Sequence, residues 1–376
     1  MKISHLGLSA LVFILPACGG TQSQQPQQLP SNAAAAPPAP PTVAEPKEAQ
    51  TAPAATSMFD LQMRSLREYV RAYNKHDAKA IAALYAEEAV FVERGEFVSA
   101  GGGSIESNFK SHFDAFPDTT TSITRSWHSG DAVLFEWAEG GTHTGPQRAH
   151  KPTGKKYGYV GASLLRFKAD GLVKQDTTYA DELTKEVQLA WAPAQLAKLE
   201  VRPVVAVPAA TEAWDAHQVK EADAAQAKLA AARKSLYTNF SVRSEKDFLA
   251  SLSDDVVLYP FDDPKDAKGK REAALLLKDW MKMFSDGVVD ATEGWSVDGH
   301  VVLLGTFTGK HVGAWGPLKA TNKTFKSHFL DIARVNKDDK IERLWSYANN
   351  YELLSHLGYQ KDEVTETVGR DPMSPK

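Results

Sequence analysis

The chain has one cysteine, Cys18, so no disulfide can form within it, whatever the redox state of its compartment. It has no Lys/Arg run, and its net charge is −4, so it lacks the electrostatic footprint that nucleic-acid binding requires. It also lacks a glycine-rich nucleotide loop leading into a helix, a nucleophile elbow, and any His, Cys or carboxylate cluster at metal-ligand spacing. No cofactor, metal or nucleic-acid partner is therefore implied. Between Gly19 and Ser57 there is no aromatic residue, and the composition is dominated by Gln, Pro, Ala, Ser and Thr. Such a stretch cannot bury enough apolar surface to offset its ordering entropy, so residues 18–57 are expected to form a disordered tether.

What is present begins with a cation, Lys2, an apolar run from Leu6 to Leu15, and small residues up to Ala17. Residues 1–17 are too short for a membrane span and read as a secretory signal. The run Leu15-Pro16-Ala17-Cys18-Gly19 resembles the lipobox of bacterial lipoproteins. That resemblance implies acylation of Cys18 and a membrane held through its acyl chains. Gly19 rather than Asp after the cysteine points by the same resemblance to the outer membrane of a Gram-negative cell envelope. A signal cleaved nearby, leaving a free Cys18 thiol, is the alternative.

At 376 residues the chain is long enough for two domains with their own cores. In the first, residues 58–192, Phe59, Met63, Leu66, Val70 and Tyr73 fall on one helical face. Asp77 is placed to cap a second helix carrying Ile81, Leu84 and Tyr85. Ala89 to Val92 reads as a strand, and Ile105, Phe109, Phe113 and Phe116 mark a third helix that Pro117 ends. The period then changes to two over Ser122–His128, Ala132–Gly141, Tyr157–Phe167 and Leu172–Ala180. Helices followed by an antiparallel meander make an α+β fold.

Much of this is written twice. Lys151, Gly154, Lys155, Asp170, Tyr179 and Asp181 recur 168 positions later as Lys319, Asn322, Lys323, Asp338, Tyr347 and Asn349. A second domain of the same kind is therefore expected over 213–360, after a connector at 193–212 and before a polar tail at 361–376. The connector holds Val204 to Val207 between Pro203 and Pro208, too apolar for a free linker, and is expected to lie against a domain. An Ala-rich helix is expected from Trp214 to Phe240, and a later one from Leu275, Trp280, Met283 and Phe284. Gly305 to Gly309 is matched to Gly141 to Gly145, which makes the second hairpin four residues shorter and sets Phe307 where His143 stood.

The segments Gly141-Thr142-His143-Thr144-Gly145, Pro152 to Lys155, Asp170-Gly171, Tyr179-Ala180-Asp181 and Gln188-Leu189 resemble the SnoaL-like branch of the nuclear-transport-factor-two-like superfamily. The resemblance implies two tandem cones, each a curved sheet closed by about three helices around a pocket. It also implies that the strand face carrying Gln175, Thr177, Tyr179 and Asp181, and its copy with Arg343, Trp345, Tyr347 and Asn349, looks into that pocket. In active members an Asp near the end of this strand acts as acid and base on a carbon acid, without cofactor. Asp181 is the matching residue, with His143 and Tyr179 placed to polarise or hydrogen-bond a carbonyl oxygen. Asp181 equally fits an N-cap for the helix beginning at Glu182. Trp137, Tyr157, Tyr159, Phe307, Trp345, Tyr347 and Asn349 are the candidate ligand-lining residues. Three readings follow: an envelope protein whose two cones pack as an internal pseudo-dimer and bind a small apolar or aromatic molecule, a cyclase or isomerase working through Asp181, and an envelope assembly module.

Overall fold

The computed structural model describes residues 56–93, 96–147, 150–219 and 244–359. The signal, Cys18, nearly all of the tether, most of the helix expected up to Phe240, and the tail lie outside the described residues.

In the first domain, helix α1 (Met58–Asn74) starts where the Ser57 hydroxyl accepts from the Asp60 N–H at 3.2 Å, and it buries Met63, Leu66, Val70 and Tyr73. Asp77 caps the short α2 (Ala78–Ala82). Tyr85 lies beyond that helix and opens strand β1 (Tyr85–Glu93), which pairs with β2 (Glu96–Ala100). Gly101, in the left-handed region at φ 79°, turns the chain into α3 (Gly102–Ala115), whose Ile105, Phe109 and Phe113 point inward. The meander follows as β3 (Thr120–Ser129), β4 (Ala132–Thr142), β5 (Lys156–Phe167) and β6 (Val173–Ala180), and ends in α4 (Glu182–Leu189).

The connector lies on this domain. The Val205 N–H donates to the Gly158 carbonyl at 2.9 Å, and a Cβ at Gly158 would meet the Val205 oxygen at 2.2 Å, so only glycine admits the crossing chain. Asp215–Gln218 then forms β7, parallel to β3, at the position where the long helix was expected to begin. The Ala-rich stretch after it suggested a helix, but the chain first extends the sheet, giving the order β2-β1-β6-β5-β4-β3-β7.

The second domain repeats the plan with α5 (Glu245–Ala250), β8 (Leu252–Pro260), β9 (Ala267–Lys268), α6 (Gly269–Met283), β10 (Phe284–Val297), β11 (His300–His311), β12 (Thr324–Val335), β13 (Ile341–Ala348) and α7 (Asn350–Leu357). Its sheet order is β10-β11-β12-β13-β8-β9. Within α6, Ala273 and Leu277 are buried, whereas Leu275 points to solvent.

The two meanders keep one register throughout. Ile123 pairs with Trp137 as Ala291 pairs with Gly305, and Gly161 pairs with Ala180 as Phe329 pairs with Ala348. Both hairpins therefore have the same length, and Gly141 corresponds to Gly309. The counterpart of His143 is His311, and Phe307 is instead the counterpart of Glu139. The similarity of Gly-Thr-His-Thr-Gly to Gly-Thr-Phe-Thr-Gly is a local coincidence four residues out of register.

Each sheet has one face on its own helices and the other on the neighbouring sheet. Trp127, Leu134, Ala162, Leu164 and Tyr179 pack with Trp295, Val302, Leu304, Leu330, Ile332 and Tyr347 in one apolar cluster. Burying a side chain of this size contributes about 1.5–3 kcal/mol, so this back-to-back seam is a core in its own right.

Candidate functional site

The strand face expected to look into the pocket is the face at the seam. Alternation on β6 turns Tyr179 toward the second domain, while Asp176, Thr178 and Ala180 face the first cone. The same holds on β13. Trp345 stacks on Tyr259 beneath the Arg125 guanidinium, 3.8 Å from its ring centre, and Tyr347 stacks on Phe261 and donates to the Glu136 carboxylate at 2.6 Å. Residues 176–180 of β6 are buried on both faces of the strand, so a period of two could not indicate which one is concave.

Asp181 caps α4. Its Oδ2 accepts from the Thr184 N–H at 3.2 Å and from the Thr184 hydroxyl at 2.6 Å, while Oδ1 accepts from the Asn350 N–H at 3.1 Å. One carboxylate thus closes the first turn of a helix in each domain. Burial raises its pKa to about 6 against the pull of those hydrogen bonds. His143 is a loop brace. Its Nδ1 accepts from the Thr153 N–H at 3.1 Å, its backbone N–H donates to the Lys155 carbonyl, and its ring packs on Phe116 and Trp191. His311 repeats this with Thr321. Asp181, Tyr179 and His143 therefore occupy three different settings and do not converge.

The first cone is lined by aromatic and polar side chains. Trp137 lies across Gly161, where a Cβ would come within 2.3 Å of its ring, and donates to the Ser163 hydroxyl at 3.0 Å. Tyr157 donates to Glu139 at 2.6 Å, Tyr159 donates to Glu182 at 3.0 Å, and Tyr73 meets His112 at 2.9 Å. Burial pushes His112 down to about 4, so it is neutral at pH 7. Tyr85 donates to Asp176 Oδ2 at 2.6 Å, and Asp176, 4 % exposed, is raised by burial to about 7.

An ordinary Asp titrates near 3.8. A folded pKa raised above the unfolded one adds stability below that unfolded value, and the gain is lost as pH rises through the folded pKa. Asp176→Asn removes this dependence, so the variant should improve relative to the parent by roughly 2–3 kcal/mol between pH 5 and pH 8. Urea denaturation at the two pH values reads the difference, and a constant offset would contradict it.

The second cone differs at matching positions. Tyr159 becomes Ser327, Trp137 becomes Gly305, Phe109 becomes Leu277 and Ile105 becomes Ala273, while His112 becomes Trp280. The second cone contains a cavity of about 180 Å³, walled by Phe248, Leu258, Ala273, Leu277, Phe307 and Leu344. Of the expected lining residues, Phe307, Tyr347 and Asn349 border it; Trp137, Tyr157 and Tyr159 belong to the buried cluster of the first domain, and Trp345 lies at the seam.

Asp262 and Asp331 also line the cavity and were not foreseen. Asp262 sits in the turn after β8, where its carbonyl accepts from the Asn350 side chain at 2.9 Å. It is raised to about 7 by desolvation, then by Asp181, Asp263 and Asp331. Comparing concave positions between the copies would have shown Asp331, which stands where Ser163 stood; Asp262 lies in an irregular turn that no periodicity marks. Among the described residues, no group of three or more His, Cys, Asp or Glu side chains is placed to hold a metal ion, and no helix is long and apolar enough to cross a membrane.

Comparison with known families matches residues 66–175 to the SnoaL-like domain and residues 230–357 to the SnoaL-like polyketide cyclase. No curated protein matches the chain. Similar solved structures include AclR from Streptomyces galilaeus, 23% identical over 36% of this chain and 100% of that one, with a TM-score of 0.33. TsrD from Streptomyces laurentii is 16% identical over 36% of this chain and 97% of its own, with a TM-score of 0.33. IdmH from Streptomyces antibioticus is 18% identical over 35% and 97%, with a TM-score of 0.31. Two family matches in sequence order, on two copies of one α+β plan, identify the chain as carrying two SnoaL-like domains in tandem.

Proposed function

We propose that the second domain holds a small, largely apolar molecule in its cone, that the first domain serves as its partner in an internal pseudo-dimer, and that the chain does this from the cell envelope, anchored through Cys18. The cavity of about 180 Å³ carries the binding part of this reading. A cavity of comparable size, about 150 Å³, lined by apolar side chains stays dry and takes a single aromatic ring. The lipobox-like run around Cys18 supports the anchor.

The test of binding uses the first domain as a template. Ser327→Tyr with Leu277→Phe installs in the second cone the side chains that Tyr159 and Phe109 provide in the first. Binding of 2-phenylethanol, followed by calorimetry, should weaken at least about tenfold, since one well-filled ring position is worth about 1.4 kcal/mol or more. Folding stability should hold or rise by about 1 kcal/mol, as cavity filling commonly gives. Unchanged binding in the filled variant would remove the cavity as the site. For the anchor, Cys18→Ser should move the protein from the membrane fraction to the soluble one.

Acid/base chemistry is a second reading, favoured by Asp176: its pKa of about 7 suits proton transfer, and its Oδ1 is buried without a hydrogen-bond partner. Asp181 suits it less, since both of its oxygens are engaged by helix N-termini. Turnover of a carbon-acid substrate that survives Asp176→Asn would remove this reading.

A further inference from the structure

None of the four residues of β7 is buried. The strand is held by its ladder to β3, by the Val219 N–H donating to the His128 carbonyl at 3.0 Å, and by the Trp214 indole N–H donating to the Ser126 hydroxyl at 3.0 Å. Yet it covers buried groups of the seam. The His217 ring stacks on the fully buried Trp127 and lies 4.7 Å, centre to centre, from the ring of His300 in the second domain. His300 is 9 % exposed, and its Nδ1 is buried without a hydrogen-bond partner. The matching position in the first domain is Ala132, so this histidine is not part of the shared plan.

Among the described residues, the charged and titratable groups that face His300 are His217 on β7, Arg125 on β3, Arg334 on β12 and Asp298 in the turn before β11. Three of the four are basic. The Asp298 carboxylate lies 3.2 Å from His217 Nδ1, and Arg334 is paired with Glu342 at 2.7 Å. His128, beside the strand, meets Gln62 of α1 instead, at 2.8 Å.

We propose that β7 is an acid-sensitive strap, which lies closed over the seam while His300 is neutral and lifts from it when His300 takes a proton. An imidazolium held in an apolar seam loses its hydration, and its basic neighbours repel it. Lifting β7 admits water and removes one of those neighbours. Burial, then His217, Arg125 and Arg334, lowers the His300 pKa from 6.5 to about 4, against a hydrogen bond to the Asp298 backbone. With the closed-state pKa below the open-state one, the hold on the strap is complete above about 6.5 and is lost as pH falls toward 4. The strap gives way first because it has no buried side chain to lose.

Hydrogen exchange of the full chain, read by mass spectrometry at pH 7.5 and pH 5.0 and scaled to the unstructured rate at each pH, tests this. Protection of residues 214–219 should fall at pH 5.0 by on the order of 10- to 30-fold, while β4 and β5 keep theirs within about threefold. His300→Phe leaves an aromatic ring at the seam with no site for the proton, and its strap should lose less than about threefold. Unchanged protection of 214–219 in the parent, an equal loss in β4 and β5, or an undiminished loss in His300→Phe overturns the proposal. If His300→Phe does not fold, the comparison of the strap with β4 and β5 in the parent decides alone.

Discussion

Replacing Arg125 by methionine should cost roughly 3–5 kcal/mol at neutral pH, the range seen when one partner of a buried ion pair is removed. Arg125 is bound to Glu136 at 2.6 Å, and Glu136 is almost wholly buried at the seam, also accepting from Tyr347 of the other domain. Burial raises the Glu136 pKa while Arg125 and Tyr347 pull it down, so losing the guanidinium leaves a carboxylate with one neutral donor in an apolar seam. The Arg125 stem and cation also cover Trp345, a contact worth about 0.5–2 kcal/mol. Adding Glu136→Gln to Arg125→Met should recover most of the loss, because the stranded charge is the larger part of it. Urea unfolding of the two single variants and the double reads the coupling. A loss under about 1 kcal/mol for Arg125→Met, or strict additivity in the double, would show that the pair contributes nothing to the joining of the domains.

The second large effect is expected at Asp181. Asp181→Ala strands the N–H groups of Thr184 and Asn350, two buried donors in two helices, at about 1–3 kcal/mol each. Relief of carboxylate desolvation offsets part of this, so the expected net loss is roughly 2–5 kcal/mol. The pH dependence follows from the raised pKa. Wild-type stability attributable to Asp181 is fully present below the unfolded value near 3.8 and falls as pH rises through about 6. The deficit of the alanine variant should therefore narrow by roughly 1 kcal/mol between pH 5 and pH 8. The comparison is Asn349→Ala, which removes a cap serving Tyr351 N–H at 3.0 Å and should cost only about 1 kcal/mol. Equal losses at the two positions would mean that the bond from Asn350 to Asp181 adds nothing across the seam.

These outcomes bear on what could be read from the chain. The α+β plan, the helix faces of Met63, Leu66 and Phe109, and the doubling of the meander were legible because burial imposes a period on side chains and a shared register imposes a constant spacing. The capping role of Asp181 was equally legible, from Glu182 and the periodic run behind it. The orientation of the strands was not, since Tyr179 and Asp176 both alternate into buried surroundings and only the partner sheet distinguishes seam from cone. The hollow of the second cone was hidden for a different reason. The difference of Tyr159 against Ser327 follows from the constant spacing of 168, but that of Trp137 against Gly305 appears only once the register of β11 is fixed by its pairing with β12.

The unequal contents of the two cones have a consequence for mutation. In an association of identical chains every substitution appears on both sides of the twofold axis, so a change that empties one interior empties the other and weakens both. Joining the halves in one polypeptide removes that constraint. Arg125, Glu136 and Tyr347 form a lopsided triad whose mirror positions are Glu293, Leu304 and Tyr179. Such a triad can exist only where the two sides of an interface are encoded separately, and one half can then keep the pair folded while the other varies.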